Sequence, residues 1–378
     1  MRLSNRLINL REYFFSELAK KVKKVEEKTG RKVLNFGIGT PDFPPSKIYL
    51  KKLKEFFDES DSHLYPGYGA IPELDKALKF WYKKRFGVDL NSNELFPIWG
   101  GKDGISHLVF AIFDEGDEVL VPDPGYPAFS GPLNLVGAKA VYYNVSKDII
   151  VDFNELEQKV SNKTKAIWVN FPSNPSGLVA DLDLLKKFVK FAKSHGIWLL
   201  YDNAYSEITF DGFIAPSILQ AEKAKDVAIE IGSASKTFSF AGYRIGWIVG
   251  NEGLINALAK VKSQIDSGIT KPFQKLLAFA LINFDLEWYK SMIKSYKTRR
   301  DKIAEKLKNL GLSFELSKGS LYIWARIPDR YESSEDFSQE ILETKQVLFT
   351  PGMGFGENGK KFVRVSFCVN IDKIDDYL

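Results

Sequence analysis

The sequence predicts an α/β protein with a mostly parallel sheet covered by helices, followed by a smaller α+β unit. Three observations carry this expectation. Short runs rich in β-branched and aromatic residues, at 140–145, 166–171, 198–201, 227–231 and 245–249, alternate with stretches of helical period at 71–86, 104–113, 182–195 and 254–261. That is the βαβα rhythm of buried parallel strands joined by crossover helices. Beyond residue 273 the pattern changes: a long helical period runs toward Leu310, and 321–327 and 362–367 then alternate like strands with one wet face. Finally, 378 residues at roughly 150 per domain is enough chain for two or three domains with a cleft between them.

The elements carry their own punctuation. Pro72 suits the first turn of the 71–86 helix, and Gly87 stops it. The apolar run ending at Ile98-Trp99 leads through glycines into the 104–113 helix. Gly311 closes the long helical stretch, which reads as a connector leading away from the sheet. No internal repeat or low-complexity tract interrupts the chain. The expected division is an N-terminal arm with part of the small domain over 1–45, a large domain over 46–280, and the connector helix with a small domain over 281–378.

Composition removes several function classes. One cysteine, Cys368, forms neither an internal disulfide nor a cysteine-rich zinc site, and His63, His107 and His195 are too scattered to suggest metal ligation, so no metal is expected. The opening residues MRLSNRLINLREYFF contain no apolar core with a small-residue cleavage site, and no apolar run approaches the roughly 18 residues of a membrane span. A cytoplasmic protein without membrane contact is the expectation. The chain carries 53 Lys and Arg against 48 Asp and Glu, a net +5, and its lysine clusters alternate with acids. This reads as a solvated surface rather than a nucleic-acid patch, because no basic stripe carries interleaved aromatics.

An α/β sheet binds ligands beyond the carboxyl ends of its strands. Four places there could carry chemistry. Gly100-Gly101-Lys102-Asp103-Gly104 precedes a helix, where glycines allow close approach and the helix N-terminus offers free N–H groups to an anion. A phosphate cradle and an ordinary turn both fit this pattern. Asp202, after Leu199-Leu200-Tyr201, is either a carboxylate awaiting a cation or a helix N-cap. Lys236, in Ser233-Ala234-Ser235-Lys236-Thr237 with Arg244 eight residues on, is either an amine made nucleophilic by crowding and cationic neighbours or a loop lysine. Asn174, in Asn170-Phe171-Pro172-Ser173-Asn174-Pro175-Ser176-Gly177, is either an aimed amide or a cap.

Taken in order, Asn174-Pro-Ser-Gly, Asp202-x-x-Tyr205, Ser233-x-Ser-Lys236 and Arg244 resemble the fold-type-I, pyridoxal-phosphate-dependent aminotransferases of class I and II over nearly the whole chain. Within that family, residues 100–107, 201–208 and 265–268 are most similar to the LL-diaminopimelate, alanine and aspartate aminotransferase branch. The resemblance implies a seven-stranded sheet in the large domain and pyridoxal 5′-phosphate as cofactor. Lys236 would form the Schiff base and move the proton. Asp202 would face the pyridinium nitrogen, Tyr205 and Asn174 the ring oxygen, and Tyr126 the ring face. Gly101, Lys102, Ser233, Ser235 and Arg244 would hold the phosphate, and Tyr65 and Ser267 would reach the partner's site in a homodimer. Arg364, with Asn174, would clamp the substrate carboxylate, while Tyr13 and the Gly37-Ile38-Gly39 turn would close over it.

The implied reaction moves an α-amino group between an amino acid and a 2-oxo acid by a ping-pong mechanism, with glutamate and 2-oxoglutarate as one pair. LL-diaminopimelate, alanine and aspartate are the candidate donors. LL-diaminopimelate enzymes carry an acid after the interface tyrosine, whereas here none follows Tyr65 before Glu73, so recognition of a distal amine stays open. A β-lyase on the same scaffold is an alternative. A serine acyl-enzyme is a more distant one, since Ser233-x-x-Lys236 also fits SxxK and Lys28-Thr29-Gly30 fits KTG. The order argues against it: that class opens a helix with SxxK and places KTG downstream on a strand.

Overall fold

The computed structural model describes residues 4–7, 12–146, 150–372 and 374–378. Of the expected N-terminal arm, residues 1–3 and 8–11 lie outside this description. In chain order the strands are β1 (Leu34–Asn35), β2 (Leu95–Ile98), β3 (Glu118–Asp123), β4 (Lys139–Asn144), β5 (Thr164–Asn170), β6 (Trp198–Asp202), β7 (Ala228–Ser233), β8 (Gly246–Gly250), β9 (Tyr322–Arg326), β10 (Val347–Leu348), β11 (Thr350–Pro351) and β12 (Phe362–Ser366). The helices are α1 (Phe14–Thr29), α2 (Lys47–Phe57), α3 (Pro72–Phe86), α4 (Gly101–Ile112), α5 (Leu133–Val136), α6 (Phe153–Lys159), α7 (Leu182–His195), α8 (Ala234–Thr237), α9 (Glu252–Lys262), α10 (Lys271–Ile282), α11 (Leu286–Asn309) and α12 (Ser334–Lys345).

Seven strands form the central sheet in the order β2-β8-β7-β6-β5-β3-β4. Only β8 runs against the others, antiparallel to both β2 and β7. The strands are apolar on both faces because both faces are covered. Ile167, Val169, Leu199 and Tyr201 join the core beneath α3, α7 and α10. Their alternates Ala166, Trp168 and Leu200 join the opposite core under α4 and α9, as the two-residue period of a strand requires. In α7, Leu185, Phe188, Val189 and Ala192 give the buried stripe; Asp181 caps its first turn through Leu184 N–H, and Gly196 ends it.

The smaller unit is an antiparallel sheet ordered β11-β12-β9, packed with residues of α11 and α12 in a second core around Phe36, Tyr296, Ile323, Phe337 and Val363. β1 pairs in parallel with β10, Leu34 opposite Val347. The N-terminal segment is thereby stitched to chain more than three hundred residues away.

Three features differ from the sequence expectation. The single helix expected over 273–310 is two, α10 and α11. Asn283 leaves helical geometry (φ −106°, ψ 59°), and Asp285 caps α11 by accepting from Trp288 N–H at 3.0 Å. Apolar periodicity continues across this break and conceals it. β3, absent from the expected strands, forms at 118–123 despite Pro122 and pairs in parallel with β4 and β5. Helices α1, α2, α5, α6, α8 and α12 are additions to the expected set.

Asp285 does more than cap: its Oδ2 accepts from Ser46 Oγ at 2.6 Å, and its N–H donates to Tyr49 Oη at 2.8 Å, joining α2 to the break. Asp285→Ala should lower the unfolding free energy by about 1–2 kcal/mol. Urea denaturation followed by circular dichroism checks this, and an unchanged midpoint would refute it.

Candidate active site

β5, β6 and β7 end at one edge of the sheet, and the reversed β8 begins there. Nearly all the residues singled out in the sequence meet at that edge, around a cavity of about 580 Å³. Tyr13, Gly39, Gly101, Lys102, Tyr126, Asn174, Asp202, Tyr205, Ser233, Ser235, Lys236, Arg244 and Arg364 all line it.

Lys236 sits in the single turn of α8 directly after β7. Its Nζ donates to Gly39 O at 2.8 Å, and the Tyr205 ring centroid lies 5.3 Å away. Burial pushes its amine down to about 8; Arg364 and Arg244 add to that effect, while Cys368 and Asp202 oppose it. Asp202 ends β6 and is buried, and its Oδ1 accepts from Ala204 N–H at 3.0 Å. Burial raises its carboxyl to about 6, against the Ala204 bond and the Lys236 charge. Among the described lining residues it is the one carboxylate, set against Lys102, Lys236, Arg244 and Arg364.

Asn174 follows β5. Its N–H donates to Asn170 Oδ1 at 2.8 Å, and Asn170 Nδ2 donates to Asp202 O at 2.9 Å, so the two strand ends hold each other. From β12, Arg364 donates to Asn174 Oδ1 at 2.9 Å and to Gly37 O at 2.7 Å. Its guanidinium lies 4.2 Å from the Tyr322 ring centroid, 4.8 Å from that of Phe355 and 4.9 Å from that of Phe15. Its Nε is buried with no hydrogen-bond partner among the described residues. Tyr205 shares a 3.0 Å hydroxyl bond with Tyr322.

On the other side of the cavity, Gly100 (φ 78°) turns the chain into α4, and a Cβ there would lie 2.6 Å from an Arg244 terminal nitrogen. Glycine is therefore required both by the positive φ and by the approach. Arg244 itself is left-handed (φ 52°), with Nη1 donating to Ala241 O. Lys102 places its ammonium 3.6 Å over the Tyr13 ring, and Tyr13 is hydrogen-bonded to the Tyr126 hydroxyl. Tyr126 packs edge-on against Phe129, which stacks on Trp168.

Tyr65 and Ser267 do not line this cavity. Tyr65 is 84% exposed and Ser267 is exposed. Their turns abut, since a Cβ on Gly268 would strike Gly67 O at 2.0 Å. Two lining aromatics, Tyr322 and Phe15, go beyond the residues that sequence reasoning finds. Tyr322 carries a signal, an aromatic on the alternating 321–327 strand, whereas Phe15 carries none.

The desolvated Lys236 amine, the buried Asp202 carboxylate and Arg244 at a glycine-rich strand-to-helix turn together suit an enzyme site for an anionic, carbonyl-bearing ligand. Residues 31–378 match the family described as aminotransferase class I and II, and the chain belongs to it. It is a pyridoxal 5′-phosphate-dependent transferase of amino groups. It is 40% identical to an LL-diaminopimelate aminotransferase of Dehalococcoides mccartyi over 99% of this chain and 97% of that protein. A relative of the same name from Halothermothrix orenii is 36% identical over 100% and 97%. Among solved structures, apo BacF from Bacillus subtilis superimposes with a TM-score of 0.94 at 35% identity, covering 100% of this chain and 97% of that one. Among the described residues, no helix is long and apolar enough to cross a membrane.

An amine attacks an aldehyde only in its neutral form, so the Lys236 environment sets the pH dependence of any such reaction there. In cofactor-free protein, trapping of Lys236 by pyridoxal 5′-phosphate and cyanoborohydride should rise with pH and reach its half-maximum near pH 8, whereas an ordinary lysine needs a pH above about 10. Peptide mass spectrometry across a pH series reads this, and a midpoint above about 10 would contradict it.

Proposed function

We propose that this chain moves the α-amino group of an amino acid to a 2-oxo acid by a ping-pong cycle, with glutamate and 2-oxoglutarate as one pair and Lys236 as its catalyst. The observation that carries the assignment is the Lys236 amine, held at about 8 in a cavity whose other cations are available to two anions. The residues fit the cofactor: the Gly100–Arg244 approach leaves a cradle that a Cβ would fill, and the Arg364 Nε lacks a partner among the described residues.

Bound there, the cofactor supplies an aldehyde that exchanges with the amino group and a ring that accepts the electron pair freed at the substrate α-carbon. Lys236 Nζ would anchor it and then carry the proton from the α-carbon and back. The Asp202 carboxylate would hold a proton on the ring nitrogen. Tyr205 and the free amide end of Asn174 would donate to the ring oxygen, and Tyr126 would cover one face. Backbone N–H groups of Gly101 and Lys102, with Ser233, Ser235 and Arg244, would hold the phosphate. Arg364 would take the substrate carboxylate as a planar donor, with Asn174 beside it, while Tyr13 and Gly39 close the mouth.

Exposed Tyr65 and Ser267 would complete the partner's site in a homodimer working in the cytoplasm. The division at 45 and 280 would separate the arm, the cofactor domain and the small domain.

LL-diaminopimelate is the first donor to test, because two full-length relatives bear its name. One observation favours a second reading, an apolar donor. Phe15, Leu18, Ile38 and Leu348 line the cavity, and its one carboxylate among the described residues of this chain is Asp202.

The purified protein should show a visible band that an effective donor bleaches and that Lys236→Ala lacks. A protein that stays colourless with added pyridoxal 5′-phosphate would overturn the assignment, and pyruvate release without an acceptor would favour the β-lyase. Arg364→Lys, which loses the planar two-point contact, should reduce kcat/KM about 100-fold, and steady-state rates over a donor panel including LL-diaminopimelate, alanine, aspartate and phenylalanine measure it.

A further inference from the structure

Behind the anion cradle, on the side away from the cavity, lies a cluster that the transamination chemistry does not use. Asp103, in the first turn of α4, and Asp266 and His107 bring potential ligand atoms within 4.8 Å of one another. Among them lies the ammonium of Lys262, the last residue of α9, only 2% exposed. It donates to Asp103 Oδ2 at 3.0 Å and to Asp266 Oδ2. His107 Nδ1 lies 3.1 Å from Asp103 Oδ1, and Asp103 holds the imidazole above its ordinary pKa.

Each carboxylate is tied to backbone that matters elsewhere. Asp103 Oδ2 also accepts from Trp99 N–H at 2.9 Å, and the carbonyl of the same tryptophan accepts from Arg244 Nη2 at 3.4 Å. Thus Lys262, Asp103, Trp99 and Arg244 form one chain of contacts ending at the cradle. Asp266 Oδ1 accepts from Gly268 N–H at 2.8 Å, which fixes the turn carrying Ser267 against Gly67.

Charge gives the cluster its purpose. A carboxylate in the first turn of a helix is favourable by itself. Asp103, however, shares that turn with a place for a phosphate dianion, and uncompensated it would repel the ligand through a poorly screened interior. Lys262, paired with both Asp103 and Asp266, is the buried cation placed to offset this repulsion while Asp103 accepts from Trp99 N–H.

We propose that Lys262 is a positioning residue for the cofactor phosphate. Its buried ammonium, clamped between Asp103 and Asp266, offsets one of the two carboxylate charges behind the cradle and holds Asp103 where it accepts from Trp99 N–H, whose carbonyl meets Arg244. This rests on the assignment of the cofactor phosphate to the start of α4.

The experiment is titration of cofactor-free protein with pyridoxal 5′-phosphate and, separately, with pyridoxal, which lacks the phosphate, followed by absorbance. For Lys262→Met the dissociation constant for the phosphorylated ligand should rise roughly 10- to 100-fold, the size seen when outer partners of metal ligands are removed, and that for pyridoxal by less than about twofold. Lys262→Arg should recover most of the loss. The double variant Lys262→Met with Asp103→Asn, which removes the stranded charge nearer the cradle while retaining an acceptor for Trp99, should recover part of it and remains informative if the single variant does not fold. Equal weakening toward both ligands, no weakening, or no recovery in the double variant would overturn the proposal. Failure of unaltered protein to bind pyridoxal 5′-phosphate would instead refute the cofactor-site assignment itself, and this proposal with it.

Discussion

The arrangement depends on an amine kept in a space too dry and too cationic for it to hold its proton firmly. Burial lowers the Lys236 amine, with Arg364 and Arg244 contributing, and the nearby Asp202 is too desolvated to reverse the effect. A cavity with four cations and one carboxylate among its described lining residues is electrostatically incomplete on its own. A ligand bearing two anionic groups would complement it, as the proposed function requires.

Distant chain segments meet to enclose this space. Gly39 O accepts from Lys236, and Gly37 O accepts from Arg364, so the backbone of one short N-terminal turn touches both groups. The Arg364–Asn174 bond ties the small sheet to the edge of the large one, and Gly125 N–H donating to Phe355 O ties it again beside Tyr126. Buried hydrogen bonds to charged groups are worth about 1.5–3 kcal/mol each. Because such contacts cross between the two sheets, the cavity is a property of their mutual packing rather than of either alone.

Much of this is legible in the sequence, for identifiable reasons. Buried parallel strands such as β5, β6 and β7 read as mostly apolar runs, and flanking Ser and Gly mark the ends that carry Asn174 and Lys236, while Asp202 stands out as a carboxylate directly after an apolar run. What escapes is what local pattern does not encode. The break at Asp285 hides under continuous apolar periodicity, and Pro122 disguises β3. Phe15 approaches Arg364 only because α1 folds back across the chain. The Lys262 cluster is equally silent. Local spacing shows only its two halves, the i,i+4 pairs Asp103–His107 and Lys262–Asp266; the halves are far apart in sequence and look like ordinary surface pairs until burial is known.

The reversal of β8 has a further consequence. In a purely parallel sheet, successive residues at one edge are separated by a whole strand and crossover helix, roughly thirty residues or more. Because β8 runs backward, the chain that leaves β7 at the site edge re-enters the sheet at that same edge, and Lys236 and Arg244 lie on one short connection. A topological irregularity is thus written into primary structure as a compact word, which lets a one-dimensional reading find two walls of a three-dimensional cavity at once.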